Sequence, residues 1–382
     1  MSRVRFLIGT VIVAAVFTIV LSGQQKRERG GQEEFGPYNV VENWQKPLKE
    51  ATPGEFNGLT WGSQGAVFAE SADRIWVAQR GMRELPAGSK PWIFGGATEP
   101  PIAGTAMHRP IHVIHVLNRN GDVIQAWRHN DQHFAHKGGR GPHKIKISPY
   151  DKEKHVWVID DNLHVIYKFT YDGKLVMTLG TVGVPGRSGN NFNRPTDIAW
   201  LPDGTFFISD GYVGTRVAKF DPNGKFIKDW GQPTKDPNNP QPNEWRTVHS
   251  IAISKDRRIF VSDRNNNRFQ VFDEEGKFLD MFPSGTTNST VYYHLISDDQ
   301  FIWAGDGGTN RIIKWDLNGN YVYGWGGTGN GPGQFDGPHQ LTVDNEGNLY
   351  VAEVFNGRIQ KFTPKPGADP TKVVRAEARP GW

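Results

Sequence analysis

The sequence contains no cysteine among its 382 residues. Disulfide bonds, catalytic thiols and thiolate metal ligands are therefore excluded. Any metal site must be built from histidine, carboxylate or backbone oxygen ligands. The absence of cysteine also excludes a lipoprotein anchor after the N-terminal apolar segment.

Long basic runs are also missing. The formal net charge is +4, and the lysines and arginines are interspersed with acidic residues. Nucleic acids bind to concentrated basic surfaces, so a nucleic-acid partner is not expected.

Long apolar runs are absent except at the N-terminus, where Arg3 and Arg5 precede the run 6–21. This pattern predicts that residues 1–23 are a signal peptide or a short uncleaved anchor, followed by a polar linker at 24–37. We therefore expect an exported protein, periplasmic or extracellular, that contacts the membrane only through this segment. We expect it to be a monomer.

What the sequence does contain is a repeat. One frame of short alternating strands occurs in "PHKIKISPYDKEKHVWVIDDNLHVIYKF", "PTDIAWLPDGTFFISDGYVGTRVAKF", "VHSIAISKDRRIFVSDRNNNRFQVF" and "PHQLTVDNEGNLYVAEVFNGRIQKF". A weaker copy lies at 292–315. A diverged first copy lies at 58–81, and its next strand is delayed to 111–118. Outer-strand segments such as "NGKFIKDWG" follow each copy after a tight turn.

Each unit therefore supplies about four short strands, which is typical of one blade of a β-propeller. Six units predict an all-β, six-bladed propeller over residues 38–363, with a C-terminal tail at 364–382. The segment 38–45 resembles an outer strand and is expected to complete the sixth blade. The alternative is an open solenoid of antiparallel sheets.

An acidic residue ends the second strand of most blades and gives a common register: Asp160, Asp210, Asp263, Asp306 and Glu353, with Gln79 in blade one. We expect most of these acids to brace turns within their own blade.

The position that opens the first strand of each blade carries a histidine in alternate blades. These are His143 in blade two, His249 in blade four and His339 in blade six; blade three has Thr196 at this position, and blade five has Tyr293 or His294. Alternate blades of a six-fold ring are one third of a turn apart, so three imidazoles would meet at the axis. This predicts a zinc site with an open coordination position. The alternative is that related repeats share a histidine that fills the channel.

Residues just after the register acids add to this prediction. Arg80 follows the register position in blade one and Arg264 follows it in blade four, and these two blades lie opposite each other. In blade three, Tyr212 lies one residue further along. Two guanidinium groups and a phenol would then surround the metal. Arginine suits a carboxylate, and a phenol beside a metal can act as a base. The alternative is that these arginines are solvated or paired with neighbouring acids.

An insertion, "RHNDQHFAHKGGRGPH" (128–143), contains His129, His133 and His136. We expect a lid beside the channel, since such insertions form loops. A second metal site is the alternative.

The run 194–231, the "PH" openings and "WVAQRG" resemble the peptidyl-α-hydroxyglycine α-amidating lyase family, a six-bladed propeller of NHL repeats, and the resemblance covers about 38–363. The resemblance implies a zinc ion held by His143, His249 and His339, with Tyr212, Arg80 and Arg264 as active-site residues. It also implies a peptide substrate ending in α-hydroxyglycine, with the peptide amide and glyoxylate as products. In such a reaction Tyr212 takes the substrate hydroxyl proton and Arg80 holds the glycine carboxylate.

The sequence departs from the family pattern at two places. The structural calcium site implied by the resemblance uses backbone oxygens, here of Val67 and Ile145, and an aspartate, which is replaced here by Gln340. A neutral side chain weakens calcium binding. Gly337 replaces a methionine of the substrate pocket. Two other functions stay open: a non-catalytic NHL scaffold for a protein, peptide or glycan, and a metal-dependent lactonase or esterase.

Overall fold

The strands form because short alternating apolar stretches are separated by tight turns. In the turn at 221–225, the side chain of Asp221 accepts hydrogen bonds from the backbone N–H of Asn223 and Lys225. Gly224 adopts a φ of +80° there, a backbone conformation that glycine adopts at little cost. Equivalent Asp-to-Gly turns recur at 273–276, 316–319 and 344–347 and lead from one strand into the next.

The computed structural model describes residues 36–47, 59–80, 82–83, 113–134, 141–286 and 288–380. These residues form six four-stranded antiparallel sheets. Blade one consists of β3 (Gln64–Ser71), β4 (Arg74–Gln79), β6 (Ile114–Leu117) and β7 (Val123–Ala126), and blade two consists of β8 (Lys144–Ile147), β9 (Val156–Asp160), β10 (Val165–Phe169) and β11 (Leu175–Leu179). Blade three consists of β12 (Pro195–Trp200), β13 (Phe206–Asp210), β14 (Arg216–Phe220) and β15 (Phe226–Trp230). Blade four consists of β18 (Val248–Ile253), β19 (Ile259–Asp263), β20 (Arg268–Phe272) and β21 (Phe278–Pro283), and blade five consists of β22 (Val291–Ile296), β23 (Ile302–Asp306), β24 (Arg311–Trp315) and β25 (Tyr321–Trp325).

The sixth blade joins both ends of the described chain. It consists of β26 (Pro338–Val343), β27 (Leu349–Glu353), β28 (Arg358–Pro364) and the N-terminal strand β1 (Tyr38–Val41). β1 pairs antiparallel with β28, which confirms the prediction that an early strand completes this blade. The first strands of the six blades contact one another in a closed ring, β3–β8–β12–β18–β22–β26 and back to β3. The fold is a six-bladed β-propeller and not an open solenoid.

Small elements decorate this ring. β2 (Leu59–Thr60) pairs antiparallel with β5 (Met82–Arg83), and β16 (Gln232–Pro233) pairs parallel with β17 (Glu244–Trp245). The helical elements of the described residues are single turns at Arg128–Asn130, Asp131–Phe134 and Arg264–Asn266. Within the described residues, no helix is long and apolar enough to cross a bilayer. The predicted N-terminal signal or anchor, and residues 24–35 of the linker, lie outside the described residues.

The core is divided among the blade interfaces. Each pair of neighbouring blades encloses its own apolar cluster, six in all. Large side chains such as Trp76, Trp303 and Trp325 are fully buried in these clusters. Burial of one large apolar side chain stabilises a fold by about 1.5–3 kcal/mol, so the interfaces fix the relative positions of the blades.

The register acids brace their blades as predicted. Each of three is paired with an arginine directly across the neighbouring strand: Asp210 with Arg216 at 2.9 Å, Asp263 with Arg268 at 3.0 Å and Glu353 with Arg358 at 2.8 Å. Their carboxylates also accept backbone N–H groups of the segment that enters the blade. The acids are therefore structural.

The segment after β28 crosses the end of the channel remote from the histidines. The backbone N–H of Val374 donates to Tyr38 Oη at 2.7 Å, and Asp298 N–H donates to the carbonyl of Ala376 at 2.9 Å. Glu377 and Arg379 line a cavity of about 80 Å³ together with the far ends of β8, β12 and β18. The C-terminal segment that the sequence predicted to be a tail therefore packs against the propeller.

Candidate active site

The first strand of most blades begins with an irregularity that aims one side chain at the axis. The strand pairing shifts register at this position in blades one, three, four, five and six. Extra residues of this kind re-aim side chains and are frequent beside active sites. The pairing Val291–Asp306 shows that the opening position of blade five is Tyr292, and the prediction of Tyr293 or His294 there was wrong. The shift in register between Val291 and Tyr293 moves the opening position of the blade towards the N-terminus, to Tyr292.

The three predicted histidines converge. His143, His249 and His339 are all buried, and their potential ligand nitrogens lie within 4.8 Å of one another. The ring centroids are separated by 4.9 Å between His143 and His249, 4.7 Å between His143 and His339, and 5.3 Å between His249 and His339. In the described part of the chain this is the one group of three or more potential ligand side chains close enough to share an ion.

Each imidazole is held by the blade that follows its own. His143 Nδ1 lies 2.7 Å from the carbonyl of Thr196, His249 Nδ1 lies 2.6 Å from that of Tyr292, and His339 Nδ1 lies 2.8 Å from that of Gly65. The three histidines come from blades two, four and six, and the three carbonyls come from blades three, five and one. All six blades therefore contribute to the site at equivalent positions.

These contacts decide which nitrogen faces the channel. A carbonyl can only accept, so each Nδ1 carries the hydrogen and each Nε2 keeps its lone pair. Burial, followed by neighbouring positive charges, lowers the pKa of each histidine well below its ordinary value, which favours the neutral form. For His339 the largest of these charge effects comes from Lys144. Neutral imidazoles fixed by carbonyls are the usual second-layer arrangement of metal-binding histidines.

Tyr212 lies against two of these lone pairs. Its Oη is 3.1 Å from His143 Nε2 and 3.0 Å from His249 Nε2, and its single hydrogen can serve one of them. A cation would satisfy all three nitrogens at once. The donor set therefore fits one metal ion bound through three Nε2 atoms, with the phenol beside it.

The two predicted arginines flank this group. The guanidinium carbon of Arg264 lies 5.1 Å from the ring centroid of Tyr212. Arg80 is buried, donates from Nε to the carbonyl of Pro142 at 3.2 Å and lies 3.6 Å from Asp161. The charge of Arg80 lowers the pKa of His143, and the charge of Arg264 lowers the pKa of His249. Both cations therefore act on the channel, as an anionic ligand requires.

Sequence reasoning missed four residues beside the site: Arg194, Asp161, Tyr292 and Lys144. The guanidinium of Arg194 lies 4.1 Å from the ring centroid of Tyr212, and the ring of Tyr292 lies 5.8 Å from that of His339. Lys144 Nζ is buried 3.1 Å from His339 Nδ1, and burial lowers the pKa of this lysine well below its ordinary value.

A signal for Arg194 was present in the sequence. In the two other blades that open with proline, glycine precedes the proline: Gly141, with a φ of +82°, and Gly337, with a φ of +67°. Arg194 fills this position in blade three with a φ of +69°. An L-residue in this conformation costs roughly 1–2 kcal/mol, so an arginine there needs a compensating role.

The position of the implied calcium site is filled by a side-chain amide. Gln340 Nε2 donates to the carbonyl of Ile145 at 2.9 Å, and Gln340 Oε1 accepts the backbone N–H of Val67 at 3.3 Å. The carbonyl that would bind calcium is thus engaged by an N–H group, and the carboxylate is missing. The residues present do not fit a calcium ion.

The histidines of the insertion do not form a cluster with other ligand residues among the residues that the structure describes. His129 Nε2 lies 3.2 Å from the carbonyl of Gly173, and the ring of His133 packs 5.5 Å from that of Tyr167. His136, the third histidine of the predicted lid or second metal site, lies outside the described residues.

Comparisons with known proteins agree with this architecture. The NHL repeat family model matches residues 246–272 and 335–362. Peptidyl-alpha-hydroxyglycine alpha-amidating lyase 1 of Drosophila melanogaster is 31% identical over 262 residues, which are 61% of this chain and 46% of that protein. Peptidyl-glycine alpha-amidating monooxygenase A of Xenopus laevis is 30% identical over 244 residues, which are 58% of this chain and 24% of that protein. The aligned part thus spans a quarter to a half of these relatives.

A third relative and two solved structures extend the comparison. A probable peptidyl-alpha-hydroxyglycine alpha-amidating lyase of Caenorhabditis elegans is 35% identical over 133 residues, 34% of this chain and 36% of that protein. A virginiamycin B lyase from Staphylococcus aureus superposes with a TM-score of 0.53 at 14% identity, covering 90% of this chain and 89% of that one. A putative gluconolactonase superposes with a TM-score of 0.50 at 12% identity, covering 89% and 99%. At these identities the solved structures show the fold alone.

The closed ring, the match to the NHL repeat and the relatives named as lyases all support the fold and the resemblance predicted from the sequence. The resemblance found in the sequence is confirmed: the chain is a six-bladed β-propeller that contains NHL repeats, and it is similar in sequence to the peptidyl-α-hydroxyglycine α-amidating lyases.

Proposed function

We propose that this protein is an exported, zinc-dependent lyase that cleaves an N-acyl α-hydroxyglycine, such as a peptide ending in α-hydroxyglycine, into an amide and glyoxylate. The observation that carries the proposal is the contact of Tyr212 Oη with the Nε2 atoms of His143 and His249. This contact supports the proposal because a phenol, which is able to transfer a proton, lies beside nitrogens that are able to bind a metal ion. Export rests on the N-terminal apolar run alone.

The proposed reaction breaks one carbon–nitrogen bond. Tyr212 would act in its deprotonated form: the phenolate oxygen takes the proton of the substrate hydroxyl while the C–N bond breaks and the hydroxyl carbon becomes the aldehyde carbon of glyoxylate. The same oxygen supplies a proton to the departing amide nitrogen and so ends with the proton count it started with. General acid–base transfer of this kind contributes about 10²–10⁴-fold to a rate.

The other groups bind and orient the substrate. His143, His249 and His339 would hold the metal ion through Nε2, and a bound zinc ion supplies Lewis acid polarisation of a substrate oxygen. Arg80 is assigned to the glycine carboxylate, because its buried guanidinium lies on the side of His143. Arg264, beside Tyr212, stabilises negative charge that develops on the phenol or the hydroxyl oxygen.

The proposal is tested by measuring metal content and glyoxylate release together. The chain without residues 1–23 is purified as wild type, His249→Ala and Tyr212→Phe, with N-benzoyl-α-hydroxyglycine as substrate. We expect one zinc per chain and glyoxylate release in the wild type. We expect His249→Ala to lose most of the metal, and Tyr212→Phe to keep the metal but lose activity by at least about 10²-fold.

Matched controls separate chemistry from folding. His294 is as buried as His249, but its Nε2 bonds to the carbonyl of Phe260, so His294→Ala should keep the metal. Tyr292 is a phenol near the same rings, and Tyr292→Phe should keep most of the activity. If the wild type contains zinc but releases no glyoxylate, the metal site would stand and the substrate would be a different compound. Absence of bound metal in the wild type would reject the three-histidine centre.

A further inference from the structure

We propose that Arg194 is a positioning residue for Tyr212, acting through both the backbone and the ring of that tyrosine. The inference rests on the proposed function for its kinetic consequence. Its structural consequence can be measured whether or not the proposed reaction occurs.

The backbone of Arg194 holds the loop that carries Tyr212. The carbonyl of Arg194 accepts the N–H of Tyr212 at 3.1 Å and the N–H of Gly211 at 3.2 Å. The N–H of Arg194 itself donates to His164 Nδ1 of blade two at 3.1 Å. One residue therefore links the Tyr212 loop of blade three to the neighbouring blade.

The side chain of Arg194 holds the ring. Its guanidinium carbon lies 4.1 Å from the ring centroid of Tyr212, closer than that of Arg264 at 5.1 Å. A guanidinium at this distance from an aromatic face is attracted by the ring quadrupole. The ring is thereby held where its Oη meets His143 and His249.

Asp161 fixes the guanidinium from the other side. Arg194 donates to Asp161 Oδ2 from Nε at 3.1 Å and also from Nη2. Asp161 is buried, and its Oδ1 lies 3.6 Å from Arg80. One carboxylate thus serves two arginines at the site, which ties the orientation of Tyr212 to the position of the proposed carboxylate-binding residue.

The backbone conformation supports a role for the side chain. Glycine occupies the equivalent place in blades two and six, as Gly141 and Gly337, both with positive φ. A requirement for the backbone alone would be met by glycine at lower cost. The arginine is explained by what its side chain contacts, namely Tyr212 and Asp161.

Two variants and one matched control test the inference. Arg194→Gln removes the guanidinium. Arg194→Gly also removes it and relieves the strain of the positive φ, but leaves Asp161 with Arg80 as its remaining arginine, so the folding of both variants is checked by thermal unfolding. The control is Arg257→Gln, because Arg257 also has a positive φ of +67° and also pairs with one carboxylate, that of Glu274, on an exposed turn between β18 and β19.

The structural readout is the position of the phenol in crystals of the metal-loaded proteins. We expect zinc content to be unchanged in all three variants. We expect Tyr212 Oη to move by about 1 Å or more in both Arg194 variants and to stay in place in Arg257→Gln. A displacement of this size is enough to impair catalysis. An unmoved phenol in the Arg194 variants overturns the inference, whatever the activity.

The kinetic readout uses glyoxylate release. We expect both Arg194 variants to lower kcat by about 10-fold with KM within about twofold, because the substrate is not bound by Arg194 itself. In a Tyr212→Phe background the same substitutions should cost nothing further. A raised KM with unchanged kcat, or an undiminished effect in the Tyr212→Phe background, overturns the inference. If the wild type releases no glyoxylate, the proposed function fails, while the crystal readout still decides the role of Arg194.

Discussion

Asp160 is the register acid without a cross-strand arginine. The place taken by Arg216, Arg268 or Arg358 in other blades is taken in blade two by Val165, which pairs directly with Asp160. Asp160 Oδ1 accepts the N–H groups of Asn162 and Leu163, whereas Oδ2 is buried without a hydrogen-bond partner among the described residues. Burial and the adjacent Asp161 raise the pKa of Asp160 from 3.8 to about 7.

A raised carboxyl pKa makes stability depend on pH with a definite sign. The folded protein keeps this proton up to about pH 7, whereas the unfolded chain releases it near 3.8, so the free energy of unfolding falls as pH rises between these values. A difference of about three pKa units, at about 1.4 kcal/mol each, lowers the free energy of unfolding of the wild type by at most about 4 kcal/mol at pH 8 and about 1.5 kcal/mol at pH 5. Asp160→Asn removes this ionisation and keeps the Oδ1 acceptor.

The assay is thermal unfolding of wild type and Asp160→Asn at pH 5, 6.5 and 8 with constant zinc. The new amide hydrogens add a penalty that does not vary with pH, so the informative quantity is the change in the difference between the two Tm values. For a chain of this size we expect that difference to move in favour of the variant by roughly 4 °C from pH 5 to pH 8. A difference that stays constant with pH would refute the reasoning. In contrast, Asp210→Asn breaks the buried charged contact with Arg216, which keeps only Asp229 as a carboxylate partner, and should destabilise by about 2 kcal/mol at pH 8.

Two further predictions concern the calcium position and the C-terminal segment. Calcium or EGTA should leave the Tm of the wild type unchanged, whereas Gln340→Asp, which restores the carboxylate, should gain a calcium-dependent rise in Tm; a calcium response of the wild type would contradict the amide assignment. A chain ending at residue 367 loses the burial of Val374 and its bond to Tyr38, worth about 1.5–3 kcal/mol for the side chain alone, and should unfold several degrees lower with unchanged zinc content. An unchanged Tm would show that this segment does not stabilise the ring.

Much of the fold could be predicted because repetition multiplies a weak signal. A single alternating stretch such as 248–253 is ambiguous, but six copies in one frame fix the blade and the number of blades. The same repetition made His143, His249 and His339 comparable, so that geometry alone predicted their convergence. β1 could be predicted because its sequence resembles an outer strand without a blade of its own.

The rest depends on interactions between segments far apart in sequence. The irregular pairing at the start of β22 moves Tyr292 into the opening position, and a simple alternation cannot show which of Tyr292, Tyr293 and His294 faces the axis. The contact between Arg194 and Asp161 joins two blades, and comparison with Gly141 and Gly337 marks the unusual backbone of Arg194 but not the side chain that it contacts. The amide of Gln340 engages blades one and two only once the ring has closed.

The way in which each histidine is held has a consequence for assembly. The bond between His339 Nδ1 and Gly65 joins residues 274 positions apart, across the seam where the last blade meets the first. If β1 separated from β28, that seam would be free to widen and the third imidazole would lose its fixed orientation. A ligand that binds only the closed ring makes such opening less favourable as its concentration rises. If a metal ion binds the three histidines as proposed, its occupancy and the closure of the ring would be linked equilibria, and the ion would also hold the propeller closed.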